Sequence, residues 1–231
     1  MSASTTTGTT SNQGLPPFRQ IRTHQPSPDT IVVYQAYCSS IASAAVAQQK
    51  LSASPDFRHT RMTWVKPSWA WMLYRCGYSY KDKRQECVLA LTMRKADFIG
   101  LLERGALSTH EHGQGSGQRD KQCSGQERVK AEEVRIQWDP ERSHRLEKLG
   151  HRSIQIGIPG ALSEKWTADW IVRIEDVTER ARKLKKVLDE TPDVSDAELV
   201  EMGLVPVETV LDVPSSVREG LRMDLEESKK G

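Results

Sequence analysis

Three short apolar runs limit how this chain can fold. Thr30-Ile31-Val32-Val33-Tyr34-Gln35-Ala36-Tyr37, Cys87-Val88-Leu89-Ala90-Leu91-Thr92-Met93 and Ser153-Ile154-Gln155-Ile156-Gly157-Ile158 are six to eight residues long and rich in β-branched, aromatic and leucine side chains. Runs of that length and composition read as strands. The first two are apolar on both faces, as buried strands are. The third alternates, with three isoleucines on one face and Ser153, Gln155 and Gly157 on the other. Helical segments of unequal length separate them, so the expected class is α+β: a mixed, mostly antiparallel sheet with packed helices.

The remaining elements follow from local signals. Alanines of 41–51 favour a helix, with Ser39 or Ser40 as cap. Thr60–Val65 is a short strand candidate, and Pro67-Ser68 opens an aromatic helix that stops at Gly77. A helix is expected from Ala96 to Arg104. Val134-Arg135-Ile136-Gln137-Trp138 alternates as a half-buried strand, and Asp139-Pro140 reads as the start of a helix running to about Leu149. Leu162, Trp166 and Trp170 mark an amphipathic helix with a short strand after it. Another helix is capped by Asp176, and 195–202 is a further helical segment. Residues 1–17 are a low-complexity tail expected to be disordered. Residues 107–127, with four glycines and almost nothing apolar, are expected to form a disordered insertion. The reading is therefore one domain over 18–190 and a peripheral acidic segment over 191–231.

No apolar run approaches the length of a membrane span, and the first residues lack the apolar stretch of a secretory signal, so the cytosol, or the nucleus, is expected. Cys38, Cys76, Cys87 and Cys123 are scattered without a Cys-x-x-Cys pair and read as reduced thiols. The net charge of +2 hides an asymmetry. Residues 57–95 carry nine Lys/Arg against two acids, while 188–231 carry twelve acids against four bases. An anionic partner for the first stretch fits this pattern, as does a pair of solvated faces.

Signatures of phosphate-binding loops, dinucleotide folds, serine hydrolases and zinc proteases are absent. His110-Glu111-His112 with Cys123 lies in the expected insertion, where nothing would hold tetrahedral geometry, so no metal site is expected. The informative stretch is Arg61-Met62-Thr63-Trp64-Val65-Lys66-Pro67-Ser68-Trp69-Ala70-Trp71-Met72-Leu73-Tyr74-Arg75. Cations among indole and phenol rings can hold a phosphate and stack a base. The plainer account makes the aromatics core, with Arg61 and Arg75 paired to Glu86 or Glu175.

Segments 18–22, 33–37, 61–68, 136–142 and 152–157 together resemble the domain of unknown function family numbered 4291, over about Phe18 to Leu188. The resemblance implies that Arg22, Tyr34, Gln35, Arg61, Trp64, Lys66, Asp139, Arg142 and Gln155 belong to the family pattern, and it carries no activity with it. Several are polar residues on apolar strands, where a buried amide is costly unless hydrogen-bonded. The order of parts is also similar to ADP-ribosyltransferases. There an Arg or His on a first strand holds NAD, a Ser or Tyr on a second supports it, and a late Glu orients the nucleophile. That resemblance implies Gln35, then Thr63 or Trp64, then Gln155 in those places, and a Gln cannot act as a carboxylate.

Three functions follow as expectations. The first is a cleft for a nucleotide or other phosphate-bearing ligand, with NAD as a candidate cofactor, formed by Arg22, Tyr34, Gln35, Arg61, Thr63, Trp64, Lys66 and Gln155. The second is a non-enzymatic nucleic-acid-binding module, and the third a protein-interaction role. They separate on geometry: convergence of Arg22, Gln35, Arg61, Trp64, Lys66 and Gln155 on one pocket favours the first, spread of the basic residues along a convex face favours the second, and burial singly or in pairs favours a purely structural role for them.

Overall fold

The computed structural model describes residues 18–108 and 133–224. Nine strands and seven α-helices succeed one another along them. The three runs that read as strands from sequence are β2 (Thr30–Tyr37), β4 (Cys87–Arg94) and β7 (Lys148–Ile158). Antiparallel pairing orders β2-β4-β8, with β8 at Ile171–Asp176. A second sheet runs β3-β7-β6-β5, from β3 (Thr63–Val65) through β6 (Val134–Arg142) to the short parallel β5 (Gly105–Leu107). The two sheets meet where Tyr34 N–H donates to the Lys66 carbonyl (2.7 Å) and Lys66 N–H donates back (3.1 Å). This single bridge sets β2 beside the end of β3 and puts Tyr34 and Lys66 on a common face.

Alternation then sorts the side chains. Val33, Leu91, Val65, Ile136, Ile154, Ile156 and Ile158 face one core, with helices α1 (Ser39–Gln48), α3 (Lys95–Glu103) and α4 (Gly160–Lys165) packed against it. The helix α4 widens into a π turn over Trp166–Trp170, which seats both tryptophans in that core. Val32, Tyr34, Val88 and Ala90 face a second core with α2 (Trp69–Cys76), α5 (Thr178–Glu190) and α6 (Asp196–Glu201). Ser68 caps α2 by accepting from Trp71 N–H, and Gly77 ends it at φ +58°, in the left-handed region.

Some expectations change. No helix starts at Asp139-Pro140: β6 continues through both, and a tight turn at 143–147 leads into β7. Pro140 is accommodated at the register shift between Pro140 and Arg142, where no ladder N–H is required, and Asp139 is used sideways across the sheet rather than as a helix cap. Cys38, not Ser39 or Ser40, precedes α1. Leu107 closes β5, and Ser108 N–H donates to Ile136; the rest of the expected insertion, its His-Glu-His and Cys123, and the tail 1–17 lie outside the described residues.

The acidic C-terminal segment is not peripheral. Its β9 (Glu208–Val210) pairs with β1 (Arg22–His24). Leu199, Leu204 and Val205 enter the second core, and Leu211, Val213, Val217 and Leu221 the first, the last two from α7 (Ser215–Gly220) and its C-cap. Widely spaced single apolar residues in an acidic background carry too little periodicity to announce that role. No helix of the described residues is long and apolar enough to cross a membrane.

Candidate functional site

The face opposite the isoleucines of β7 is polar. Register sets Gln155 opposite Gln137, Ser153 opposite Asp139, and Gly157 between Trp64 and Arg135. The Gln155 amide nitrogen donates to Gln137 Oε1 and to Asp139 Oδ2, both at 2.7 Å. An acceptor pair on one nitrogen assigns that atom as the NH2. Both N–H groups are thereby used, and the Gln155 carbonyl oxygen is left out of the network. Gln137, Gln155 and Asp139 are each only partly buried. Beside them the Trp64 ring lies over Gly157, where a Cβ would stand 3.0 Å from both Trp64 Cη2 and Met62 Sδ. Glycine at 157 is therefore what lets the indole lie flat on the strand.

Lys66 extends this face from the end of β3. It is 4 % exposed and forms no ion pair among the described residues. Its ammonium sits 5.2 Å from the centre of the Trp71 ring. Burial, and then the neighbouring Arg75 guanidinium, push it down to about 8, while the Asp139 carboxylate pulls the other way. A buried ammonium held against a ring face rather than in an ion pair is the kind of arrangement found at functional sites.

Beyond Lys66 the polar strip continues under the start of α2. Ser68 Oγ donates to Glu141 Oε1 (2.9 Å), and Trp69 N–H donates to Glu208 Oε1 (2.6 Å). Burial pushes the Glu208 carboxyl up to about 8, against the Trp69 hydrogen bond; nearby Glu141 raises it further and Arg22 opposes. The Tyr34 phenol, 1 % exposed and tilted against Trp69 at 5.1 Å, is raised by burial and by the Glu208 charge. The Ser153 hydroxyl is buried without a hydrogen bond in the same strip.

Of the eight residues expected to form the site, Tyr34, Trp64, Lys66 and Gln155 share this face. Arg22 stands at its far end, donating to the Glu208 carbonyl (3.0 Å) and Gln20 (3.3 Å). Gln35 and Thr63 do not join it: alternation turns them to the opposite face, with Val33 and Val65, and Gln35 Oε1 is buried there without a partner. Arg61 is exposed just before β3. Neither Arg61 nor Arg75 pairs with Glu86 or Glu175; Glu175 binds Arg173, and Glu86 accepts from Ser39 N–H. Gln137, Glu141 and Glu208 were missed. Gln137 was legible, as the polar residue of an alternating strand. Glu141 was hidden by the expected helix and Glu208 by the apparent irregularity of the C-terminal segment. Two surface hollows, one between α3 and α7 and one beside α5, contain none of the eight.

The molecule is thus an α+β domain whose second sheet presents a polar, cation-bearing face under a short aromatic helix. It belongs to the family described as Domain of unknown function (DUF4291), whose model matches residues 20–211 and so takes in the C-terminal strand that carries Glu208. No curated protein matches the chain.

Proposed function

We propose that the protein binds a nucleotide or other phosphate-bearing ligand on the polar face of β3, β7 and β6. The observation that carries this is Lys66: a buried ammonium with no ion pair among the described residues, lying against the Trp71 ring with the Asp139 carboxylate and the Arg75 guanidinium in its field. A phosphate near Lys66 and Arg75 would supply the missing anion, which removes much of the penalty of burying the lysine charge. The Trp64 ring offers a stacking surface, and the outward carbonyl of Gln155 an acceptor for an exocyclic amine or hydroxyl. Lys66 itself is covered, so the ligand is reached by a small movement of the Trp71 side chain.

Turnover of NAD is the second reading, favoured by one specific contact. The carboxylate that Gln155 cannot provide stands 2.7 Å away in Asp139, on the same face as Trp64. In that reading Asp139 orients the nucleophile and Tyr34, not Gln35, is the face-forming residue of β2.

The test is isothermal titration of the full chain with NAD, ATP and inorganic phosphate. Binding of at least one is expected, with a loss of tenfold or more in Lys66→Met and Gln155→Ala, a range typical of one charge-assisted contact. Wild-type protein that binds none of them refutes the first reading. If NAD binds and is not consumed, or is consumed equally by Asp139→Asn, the second is refuted.

A further inference from the structure

A second surface lies beyond the far end of α2 and borders the face just described, where the Tyr74 ring meets that of Trp71 at 6.1 Å. Two tyrosines there are exposed: Tyr74, on the last turn of α2, at 38 %, and Tyr80 at 65 %. Each is backed by an arginine. The Arg142 guanidinium lies 3.8 Å from the centre of the Tyr74 ring, and the Arg182 guanidinium 5.6 Å from that of Tyr80. Both arginines are themselves held: Arg142 reaches the Leu146 carbonyl, and Arg182 Nε donates to Ser79 Oγ (2.8 Å). The chain between the rings is folded into closed turns, with Tyr78 N–H on Leu73, Lys81 N–H on Cys76 and Tyr80 N–H on Gly77, so both rings belong to one compact corner. Tyr78 and Ser79 take left-handed backbone angles (φ +53° and +78°) to make those turns, which is how Tyr80 comes to stand outward.

The corner is positively charged. Residues 74–84 and the adjoining α5 together hold nine Lys/Arg and four Asp/Glu, in a chain whose net charge is +2. A hollow lined by Tyr80, Arg182, Lys185, Lys186, Asp189 and Glu190 runs along α5. Lys185 and Lys186 are paired with Asp189 and Glu190 one turn on, and these exposed pairs exchange partners at little cost.

We propose that this corner binds single-stranded nucleic acid. Exposed rings fixed by cations beneath them offer flat stacking platforms to unstacked bases, and the lysines of α5 and Lys81 neutralise the backbone phosphates between. The combination selects single strands, because a duplex presents phosphates and no free base faces. An acidic protein segment would use the lysines and leave the rings without a role.

Fluorescence anisotropy of a labelled mixed-sequence RNA or DNA, roughly 12 nucleotides long and within the site size of such surfaces, titrated with the full chain at about 50 mM salt, tests this. Saturable binding in the micromolar range is expected. Tyr80→Ala weakens it roughly tenfold, the equivalent of one lost base stack, and Tyr80→Phe, which keeps the ring, restores it. Lys185→Glu with Lys186→Glu weakens it further and flattens its salt dependence. Lys66→Met and Gln155→Ala leave it unchanged, which separates this surface from the nucleotide face. Tyr80 is exposed, so its variants fold; matching thermal melts confirm that. Absence of binding, equal affinity of Tyr80→Ala, or equal affinity for a duplex of the same length overturns the proposal, the last by reducing it to general charge attraction.

Discussion

Replacing Lys66 by methionine should stabilise the folded protein and do so in a pH-dependent way. The side chain keeps its length, and the Trp71 ring and the Cys76 thiol beside it accept a thioether. The lysine is held at about 8 against an ordinary 10.5. That depression corresponds to a penalty of roughly 3 kcal/mol for carrying the charge in the fold. Loss of the contact with Trp71 returns about 1 kcal/mol, leaving a net gain of about 2 kcal/mol at pH 7. The sign with pH is fixed by proton counts. Between about 8 and 10.5 the unfolded chain still holds the proton and the folded one has released it, so wild-type stability rises with pH across that window. The variant lacks this rise, so its advantage is full below pH 8 and shrinks by about 1.4 kcal/mol per pH unit above it. Urea denaturation of both proteins at pH 7, 8 and 9.5, followed by tryptophan fluorescence, measures this. A methionine variant that is less stable, or an advantage that does not change between pH 8 and 9.5, refutes the account of Lys66 as a cation penalised by its burial.

Four further outcomes are expected. Glu208→Gln should be as stable as wild type below about pH 4.5 and more stable above it, by about 2 to 4 kcal/mol at pH 8 and beyond; its amide keeps the carbonyl that accepts Trp69 N–H, and urea curves across pH 5 to 9 check it. Gly157→Val should lift the Trp64 ring off β7, red-shift or dim its fluorescence, and cost about 1 to 3 kcal/mol as an overpacked site. Ile156→Ala, in the centre of the first core, should cost about 2 to 5 kcal/mol in the same denaturation assay. Truncation after Val205, which removes β9, Leu211, Val213 and Val217, should abolish the cooperative thermal transition seen by circular dichroism rather than trim a dispensable tail.

The fold was legible where side-chain pattern and burial coincide. β2, β4 and the 153–158 part of β7 show as strands in their composition, and α2 announces both its ends, in Ser68 and Gly77. Asp139-Pro140 misled because the same two residues that open a helix also fit the register shift of a strand; the competing requirement was the Gln155 amide across the ladder, which no local signal reveals. The site was legible by half. Period-two alternation is enough to put Gln155 and Trp64 on one face and Thr63 on the other, but assigning Tyr34 rather than Gln35 to that face needs the Tyr34–Lys66 bridge, a contact between residues thirty-two positions apart in the chain. Glu208 lies beyond that kind of reading, because nothing in Val-Glu-Thr-Val states that its carboxyl will meet the first N–H of a helix 139 residues earlier.

Lys66 and Glu208 are therefore best considered together, as two of the ionisable groups buried near the start of α2, beside Glu141 and Tyr34. Their effects on stability run in opposite directions with pH. Glu208 is accommodated as an acid and penalised once ionised, so its contribution falls as pH rises from about 4.5 to 8. Lys66 is penalised as a cation and accommodated once neutral, so its contribution rises from about 8 to 10.5. Their sum is lowest near pH 8, not far from neutrality, and a fold selected for stability alone would replace either by an apolar or amide side chain. If an anion binds beside Lys66 as proposed, it returns the lysine toward its ordinary pKa and removes the charge penalty. On the proposed reading, the charge penalty at Lys66 and the affinity for an anionic ligand are the same free energy.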